Sequence, residues 1–237
     1  MRAVTILGDG GLGRAVEAAL LGRDDRLRPR GELRVVGRPR TGRHLAADLG
    51  HPDLVIEASR PEAVLSNVEV ALEAGVRLMV IATTGWADDR PPIESLLRRA
   101  GVAAVAAPNF SFGVVLFGRL VATAVELFGP LDGFDPYLLE WHRRAKRDRP
   151  SGTAVDLARR IADGHPRLAS PDDLEVVSIR AGSSPGMHLV GFDAAGETIE
   201  LRLTARDRSA YAAGILAAAD WLERVPRDAG IHPFDLV

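Results

Sequence analysis

The feature that most narrows the fold lies at the start of the chain. A short apolar, β-branched run at residues 3–7 (Ala-Val-Thr-Ile-Leu) leads directly into Gly8-Asp9-Gly10-Gly11-Leu12-Gly13. A helical pattern follows, with apolar Ala15, Val16, Ala18, Ala19, Leu20 and Leu21. Strand, glycine loop and helix in this order are the opening of a dinucleotide-binding βαβ unit. Gly8, Gly10 and Gly13 fit G-x-G-x-x-G, whose glycines allow a tight turn, close approach of backbone to a pyrophosphate, and close helix–strand packing. The phosphate sits at the helix N-terminus, where unpaired N–H groups collect. Gly8, Gly10, Gly11, Leu12 and Gly13 are therefore candidate cofactor contacts; a plain tight turn is the competing reading of the hexapeptide.

The next strand is Leu33–Val36. A site for NAD is expected to carry Asp or Glu near its end for the ribose 2′-hydroxyl. The residues that follow include Arg38, Arg40 and Arg43 and no carboxylate, which suits a 2′-phosphate. NADPH is favoured, with NADH possible, and Arg38 is the first candidate for the contact. The alternation then continues with a strand at Leu54–Glu57, a helix at 61–74, a strand at 78–82, a helix at 93–100 and a strand at 102–106. This predicts an α/β fold, a Rossmann-type parallel sheet covered on both faces. Ligands of such sheets lie beyond the carboxyl ends of the strands. Ser59, Ala82, Thr84, Pro108 and Phe110, in the loops there, are candidate cofactor contacts. Thr83-Thr84-Gly85 and Asn109-Phe110-Ser111 read either as groups around a nicotinamide or as caps and turns.

The second half carries a concentration of charge. After a helix at 113–128, a Gly/Pro/Asp-rich turn at 129–136 and a strand at 137–141, six of the eight residues from 142 to 149 are His, Arg or Lys. Net charge is −2, so no global field favours nucleic acid or an anionic membrane, and the basic cluster reads as a local anion site suited to a small dicarboxylate. Lys146 is the only lysine, against 29 arginines. Arginine does not lose a proton near neutral pH and lysine can, so Lys146 reads as a proton donor whose charged form is disfavoured by the cations around it. Pro150-Ser151-Gly152-Thr153 opens a helix at 154–162, with backbone N–H groups placed to hold a carboxylate; Ser151 or Thr153 reads equally as a cap.

The segment Glu140-x-His142-x-x-x-Lys146-x-Asp148-x-Pro150-Ser151-Gly152-Thr153-Ala154 closely resembles the signature of the 4-hydroxy-tetrahydrodipicolinate reductase (dihydrodipicolinate reductase) family. The resemblance extends through the glycine loop, Ser59-x-Pro61, Thr83-Thr84-Gly85, Asn109-Phe110-Ser111, Arg180-x-Gly182, Pro185-Gly186-x-His188, Glu200 and Asp207-Arg208. It implies hydride transfer from NAD(P)H to a cyclic imine formed after loss of water, in lysine and diaminopimelate biosynthesis. Lys146 would be the proton donor with His142 beside it, and Ser151, Gly152 and Thr153 would hold substrate carboxylate; Arg143, a departure from the family pattern, can bind carboxylate by a two-pronged contact. It further implies an α+β C-terminal domain of mixed sheet, from strands near 174–181, 186–193 and 197–204, that forms a homotetramer interface. A last helix near 210–222 would return to the nucleotide domain and bring Arg208 and Tyr211 near the nicotinamide. The family's second histidine is Arg143 here, Ala82 replaces a usual glycine, Leu203 stands where histidine is often found, and the glycine loop is one residue shorter.

These readings divide the chain into a dinucleotide-binding domain, 1–110 completed by 209–237, and a substrate-binding and oligomerisation domain, 111–208, with 129–136 and 205–209 as connections. Glu140 reads either as a participant in the chemistry or as a strand residue orienting His142. His44, His51, His165 and His232 form no ligand spacing, and no metal is expected. The absence of cysteine, an N-terminal apolar run too short for a signal peptide, and no apolar stretch long enough to span a bilayer point to a cytoplasmic protein with no membrane partner. Two other functions remain compatible with the sequence: a reductase of a different small imine, and a module that binds NADPH without turnover.

Overall fold

The computed structural model describes residues 3–22, 31–40 and 42–237. They form two compact units, one comprising residues up to Ser111 together with Arg208–Val237, the other Phe112–Asp207. In the first unit the order is β1 (Val4–Leu7), α1 (Gly11–Gly22), β2 (Leu33–Val36), α2 (Ala46–Leu49), β3 (Leu54–Glu57), α3 (Val64–Glu73), β4 (Leu78–Ile81), α4 (Arg90–Ala100) and β5 (Ala103–Ala106). The strands are short and mostly apolar because helices cover both faces, so both sets of alternating side chains are largely buried. β1, β3 and β5 are buried at every position.

Glycines are required where backbone closes on backbone. Gly8 has φ +117, a conformation that L side chains rarely adopt, and a Cβ there would collide with the Ala58 carbonyl. A Cβ at Gly13 would strike the Gly8 carbonyl, so α1 comes down on the end of β1 only because position 13 has no side chain.

The second unit contains α5 (Phe112–Phe128), β6 (Asp135–His142), α6 (Gly152–Gly164), β7 (Glu175–Arg180), β8 (Gly186–Ala194) and β9 (Glu197–Ala205). The sheet order is β7-β6-β8-β9, with β6 and β7 parallel and the other pairs antiparallel. Inner-face residues Leu138, Val176, Val190, Phe192, Leu201 and Leu203 pack with Phe117, Val121, Leu157 and Ile161 of α5 and α6. The opposite face leaves Trp141, Val177 and Ile179 exposed. The turn at 129–136, expected as a domain connection, lies inside this unit, because α5 and β6 on either side of it belong to the same core.

The chain then returns through α7 (Ser209–Arg224) and β10 (Gly230–His232) to the first unit, giving a six-stranded parallel sheet in the order β10-β5-β4-β3-β1-β2. The sequence reading had placed only a helix in this segment. Three residues with one hydrogen-bonded neighbour carry too little pattern to read, and it is β5 that makes them a strand. No helix among the described residues is long and apolar enough to cross a membrane.

Gly214 is where α7 meets the loop after β5: a Cβ would collide with the Phe110 carbonyl and come within 3.0 Å of the Phe234 ring. Helix propensity favours alanine over glycine by about 1 kcal/mol, whereas overpacking of rigid backbone costs about 1–3 kcal/mol. Gly214→Ala is expected to lower the urea midpoint, opposite to the propensity prediction; an unchanged or raised midpoint would show that α7 can shift away.

Candidate active site

In the second unit the chemistry is organised by one carboxylate. Glu140 lies on the inner face of β6, where strand alternation would ordinarily put an apolar residue, and it is fully buried. Register explains its company: Glu140 stands opposite Ser178 on β7 and His188 on β8, and His188 stands opposite Leu203 on β9, so these four residues form one row across the sheet. The next inner-face row pairs His142 with Arg180.

Glu140 Oε1 accepts hydrogen bonds from Arg180 Nη2 (2.6 Å), Ser178 Oγ (2.6 Å) and the Ser151 backbone N–H (3.0 Å). Its Oε2 lies 3.2 Å from His142 Nδ1 and 3.7 Å from His188 Nε2. Burial raises the carboxyl pKa, but hydrogen bonds from Ser151, Ser178 and Arg180 outweigh it and hold Glu140 at about 2. Both imidazoles are lowered as well, which for a histidine favours the neutral form. Burial lowers His142, with the charge of Glu140 opposing and those of Lys146 and Arg180 assisting. Burial and the neighbouring His142 lower His188 to about 4. The core of the site is thus one carboxylate matched by one guanidinium, with two neutral imidazoles edge to face at 5.2 Å.

Lys146 follows in the loop after β6, its Nζ 2.8 Å from Asp148 Oδ2. Within the cationic segment its direct partner is thus a carboxylate two residues on. Arg143 is exposed. Ser151 caps α6, its Oγ accepting from Ala154 N–H at 3.2 Å and lying 3.3 Å from His188 Nε2. Its backbone N–H is already held by Glu140. Gly152 and Thr153 occupy the first helical turn, whose N–H groups have no intrahelical acceptor, and these suit an anion.

Glu140, His142 and His188 each offer one ligand atom within 4.8 Å of the others, a metal-ligand constellation invisible in the sequence because register assembles it. Arg180 already neutralises Glu140 through Oε1, with Lys146 close enough to influence His142. A divalent cation would add uncompensated positive charge to this buried set, so the donors present do not fit a resident metal. Arg180, Ser178 and His188 received no role from sequence reasoning. Their even-numbered places on the inner face were readable, but which strands neighbour β6 was not.

In the first unit the candidate residues gather at the carboxyl ends of the strands. Gly10 and Gly11 lead into α1, and a Cβ at Gly11 would collide with the Arg208 guanidinium. Arg208, at the N-cap of α7, therefore lies against the glycine loop, while half-buried Tyr211 occupies the first turn of α7. Arg38 is exposed just beyond β2. The Asp9 carboxylate is also there, with Oδ2 3.0 Å from where a Cβ of Gly37 would stand. Arg43, one of three arginines expected for a 2′-phosphate, pairs instead with Glu69 and Glu73 of α3. A pocket of about 170 Å³ opens beyond β4 and β5, lined by Thr83, Thr84, Gly85, Arg90 and Pro108 among others. Ala82 is buried beside this loop. Ser59 hydrogen-bonds to Glu57. Phe110 departs from expectation as an aromatic beside the nicotinamide: its ring is buried against Phe234 at 5.0 Å.

The sequence model described as "Dihydrodipicolinate reductase, N-terminus" matches residues 30–110, and that described as "Dihydrodipicolinate reductase, C-terminus" matches 113–232. The glycine loop precedes the matched span. Two relatives named 4-hydroxy-tetrahydrodipicolinate reductase are similar over most of the chain. That of Archaeoglobus fulgidus is 36% identical over 198 residues, covering 77% of this chain and 74% of its own length. That of Methanococcoides burtonii is 34% identical over 194 residues, covering 77% and 72%. Among solved structures, a dipicolinate-bound dihydrodipicolinate reductase from Paenisporosarcina sp. TG-14 shares the fold along the full length of both chains, at TM-score 0.73 and 21% identity.

The two imidazoles make stability pH-dependent. A His188 whose folded pKa is about 4, against an ordinary 6.5, binds its proton more readily in the unfolded chain. Its stabilising contribution is present above 6.5 and is lost as pH falls towards 4. Glu140, depressed from 4.5 to about 2, gives up its contribution only below 4.5. Urea denaturation is expected to show stability falling between pH 6.5 and 4, and His188→Asn is expected to flatten that slope. An unchanged slope in the variant would contradict the assignment.

Proposed function

The chain belongs to the dihydrodipicolinate reductase family, and we propose on that footing that it reduces 4-hydroxy-tetrahydrodipicolinate to tetrahydrodipicolinate with NAD(P)H, in the making of diaminopimelate and lysine. The observation that carries this reading is the Glu140 row. It joins His142, His188 and Arg180 to the first turn of α6, within the segment that holds the lone lysine.

The roles follow from chemistry. Arg143 and the N–H groups of Gly152 and Thr153 bind substrate carboxylate, for which a guanidinium gives a two-pronged contact. Lys146 Nζ donates the proton, Asp148 holding it in place. His142, neutral and backed by Glu140, donates or accepts a hydrogen bond beside it.

The first unit fits a dinucleotide by its own geometry. Gly8 turns where a side chain cannot, α1 presents its N-terminus, and the Arg208 guanidinium rests on Gly11, in reach of pyrophosphate charge. Glycine-loop residues Gly8, Gly10, Gly11, Leu12 and Gly13 would hold the pyrophosphate, with Ser59, Ala82, Thr84, Pro108, Tyr211 and the backbone of Phe110 around the rest. A bound dihydronicotinamide supplies the hydride. Arg38 favours NADPH through the 2′-phosphate, while Asp9 offers a carboxylate for a ribose hydroxyl, so NADH is accepted as well.

We further propose a homotetramer in the cytoplasm, where reduced nicotinamide nucleotides are available. The exposed apolar face of Trp141, Val177 and Ile179 on the β6–β9 sheet supports the assembly.

The deciding assay generates the substrate in situ from the synthase that makes it and follows nucleotide oxidation. Turnover is expected, and tight NADPH binding without turnover would sink the reading. Lys146→Arg keeps the charge but not the transferable proton, and its kcat is expected to fall about 10²- to 10⁴-fold with KM little changed. Undiminished turnover would remove Lys146 as the donor. Arg38→Ala is expected to raise KM for NADPH roughly tenfold or more and leave KM for NADH unchanged; equal effects on the two nucleotides would contradict the 2′-phosphate contact.

A further inference from the structure

A second buried glutamate lies far in sequence from the first and plays no part in the chemistry above. Glu57 ends β3, at the carboxyl edge of the parallel sheet, and is fully buried. From the geometry around it we propose that Glu57 is a positioning residue of the nucleotide site, its side chain cross-tying the loops after β3 and β4 and, through them, supporting the glycine loop.

Three elements meet at this carboxyl. Its Oε1 accepts from the Ser59 backbone N–H at 3.2 Å, from the Ser59 hydroxyl, and from Asn67 Nδ2 of α3 at 3.1 Å. Asn67, itself buried, also donates to Ser59 Oγ at 3.0 Å. The buried Thr83 hydroxyl, in the loop after β4, is the other group that reaches the carboxyl. On its far side the Ala58–Ser59 segment touches the glycine loop. The Ala58 carbonyl fills the space a side chain of Gly8 would need, and Ser59 Cα lies 3.0 Å from the same point. A shift of Ser59 therefore moves the floor on which Gly8 rests.

The arrangement also says in which form the carboxyl works. Ser59, Asn67 and Thr83 are all uncharged, so an ionised Glu57 would be a buried charge without a counter-charge, which is costly. Burial raises the pKa of Glu57 despite the hydrogen bonds it accepts. Two buried atoms here have no hydrogen-bond partner, Glu57 Oε2 and Thr83 Oγ1. One proton on Oε2, donated to Thr83 Oγ1, satisfies both. A neutral acid with one oxygen accepting from the β3 loop and the other donating to the β4 loop is a strap that an amide can imitate; an ionised carboxylate would accept from the Thr83 hydroxyl instead, but as a buried charge without a counter-charge.

The inference rests on the nucleotide reading of the first unit, and the test separates the two. NADPH affinity is measured by titration on the full-length protein and on Glu57→Gln, Glu57→Ala and Thr83→Val, with circular dichroism to confirm folding. Glu57→Gln is expected to keep Kd for NADPH within about twofold, while Glu57→Ala and Thr83→Val raise it about tenfold. At saturating nucleotide the kcat of Glu57→Gln is expected to stay within about threefold of the unmutated protein, because Glu57 is buried beneath the loops and touches neither substrate nor nucleotide. Should Glu57→Ala fail to fold, the contrast between Glu57→Gln and Thr83→Val carries the test. An unmutated protein that binds neither NADPH nor NADH overturns the nucleotide reading and this inference with it. If the unmutated protein binds, the inference alone is overturned by folded variants with unchanged Kd, or by a Glu57→Gln protein as weak as Thr83→Val, which would mean that the charge and not the proton is needed.

Discussion

The second unit depends on the ion pair between Glu140 and Arg180, both of whose side chains are completely buried. Removing either partner leaves a charge without water or counter-ion, at a cost of about 3–5 kcal/mol. That asymmetry makes the pair a constraint more than a source of stability. While it is intact, Glu140 Oε1 also fixes Ser178 and the Ser151 N–H, so the start of α6 is pinned to β6. Oε2 is left facing the two imidazoles. One carboxylate thereby fixes the helix turn suited to anions and the rings beside the loop of Lys146.

The first unit handles a buried carboxyl by the opposite means. Glu140 is charged and matched by a cation; Glu57 is surrounded by hydroxyls, an amide and an N–H, and its burial favours the neutral form. The difference follows from what each neighbourhood serves. A proton-donating site benefits from a fixed field, which a matched charge supplies. A site for a polyanionic nucleotide is poorly served by an unmatched negative charge beneath its phosphate loop.

Much of the architecture was legible in the chain. The βαβ alternation, the glycine loop and strands β1 to β6 are written in local pattern, because a strand covered on both faces reads as an apolar run and a helix start as glycine or a capping residue, whereas β7, β8 and β9 were expected from the family resemblance. The cationic segment around Lys146 and the Ser151 cap were equally local. Phe110 shows where local reading stops: an aromatic in a loop at the sheet edge looks like a ligand contact, yet α7 and Phe234 arrive from over a hundred residues away and bury it.

The sequence by itself determined which residues are the candidates for the chemistry, because a lone lysine, a histidine four residues before it and a glycine loop after the first strand are chemical and periodic facts of a linear chain. Only the tertiary structure decided how they are supported. Ser178, Glu140, His188 and Leu203 become one row through the register of four strands, and Asp9 comes beside Gly37 through the adjacency of β1 and β2. Register is set by the pairing of backbone groups distant in the chain, and shifting it by one residue turns every side chain to the other face. Spacing shows which face of its strand a residue takes, but not which strand lies beside it.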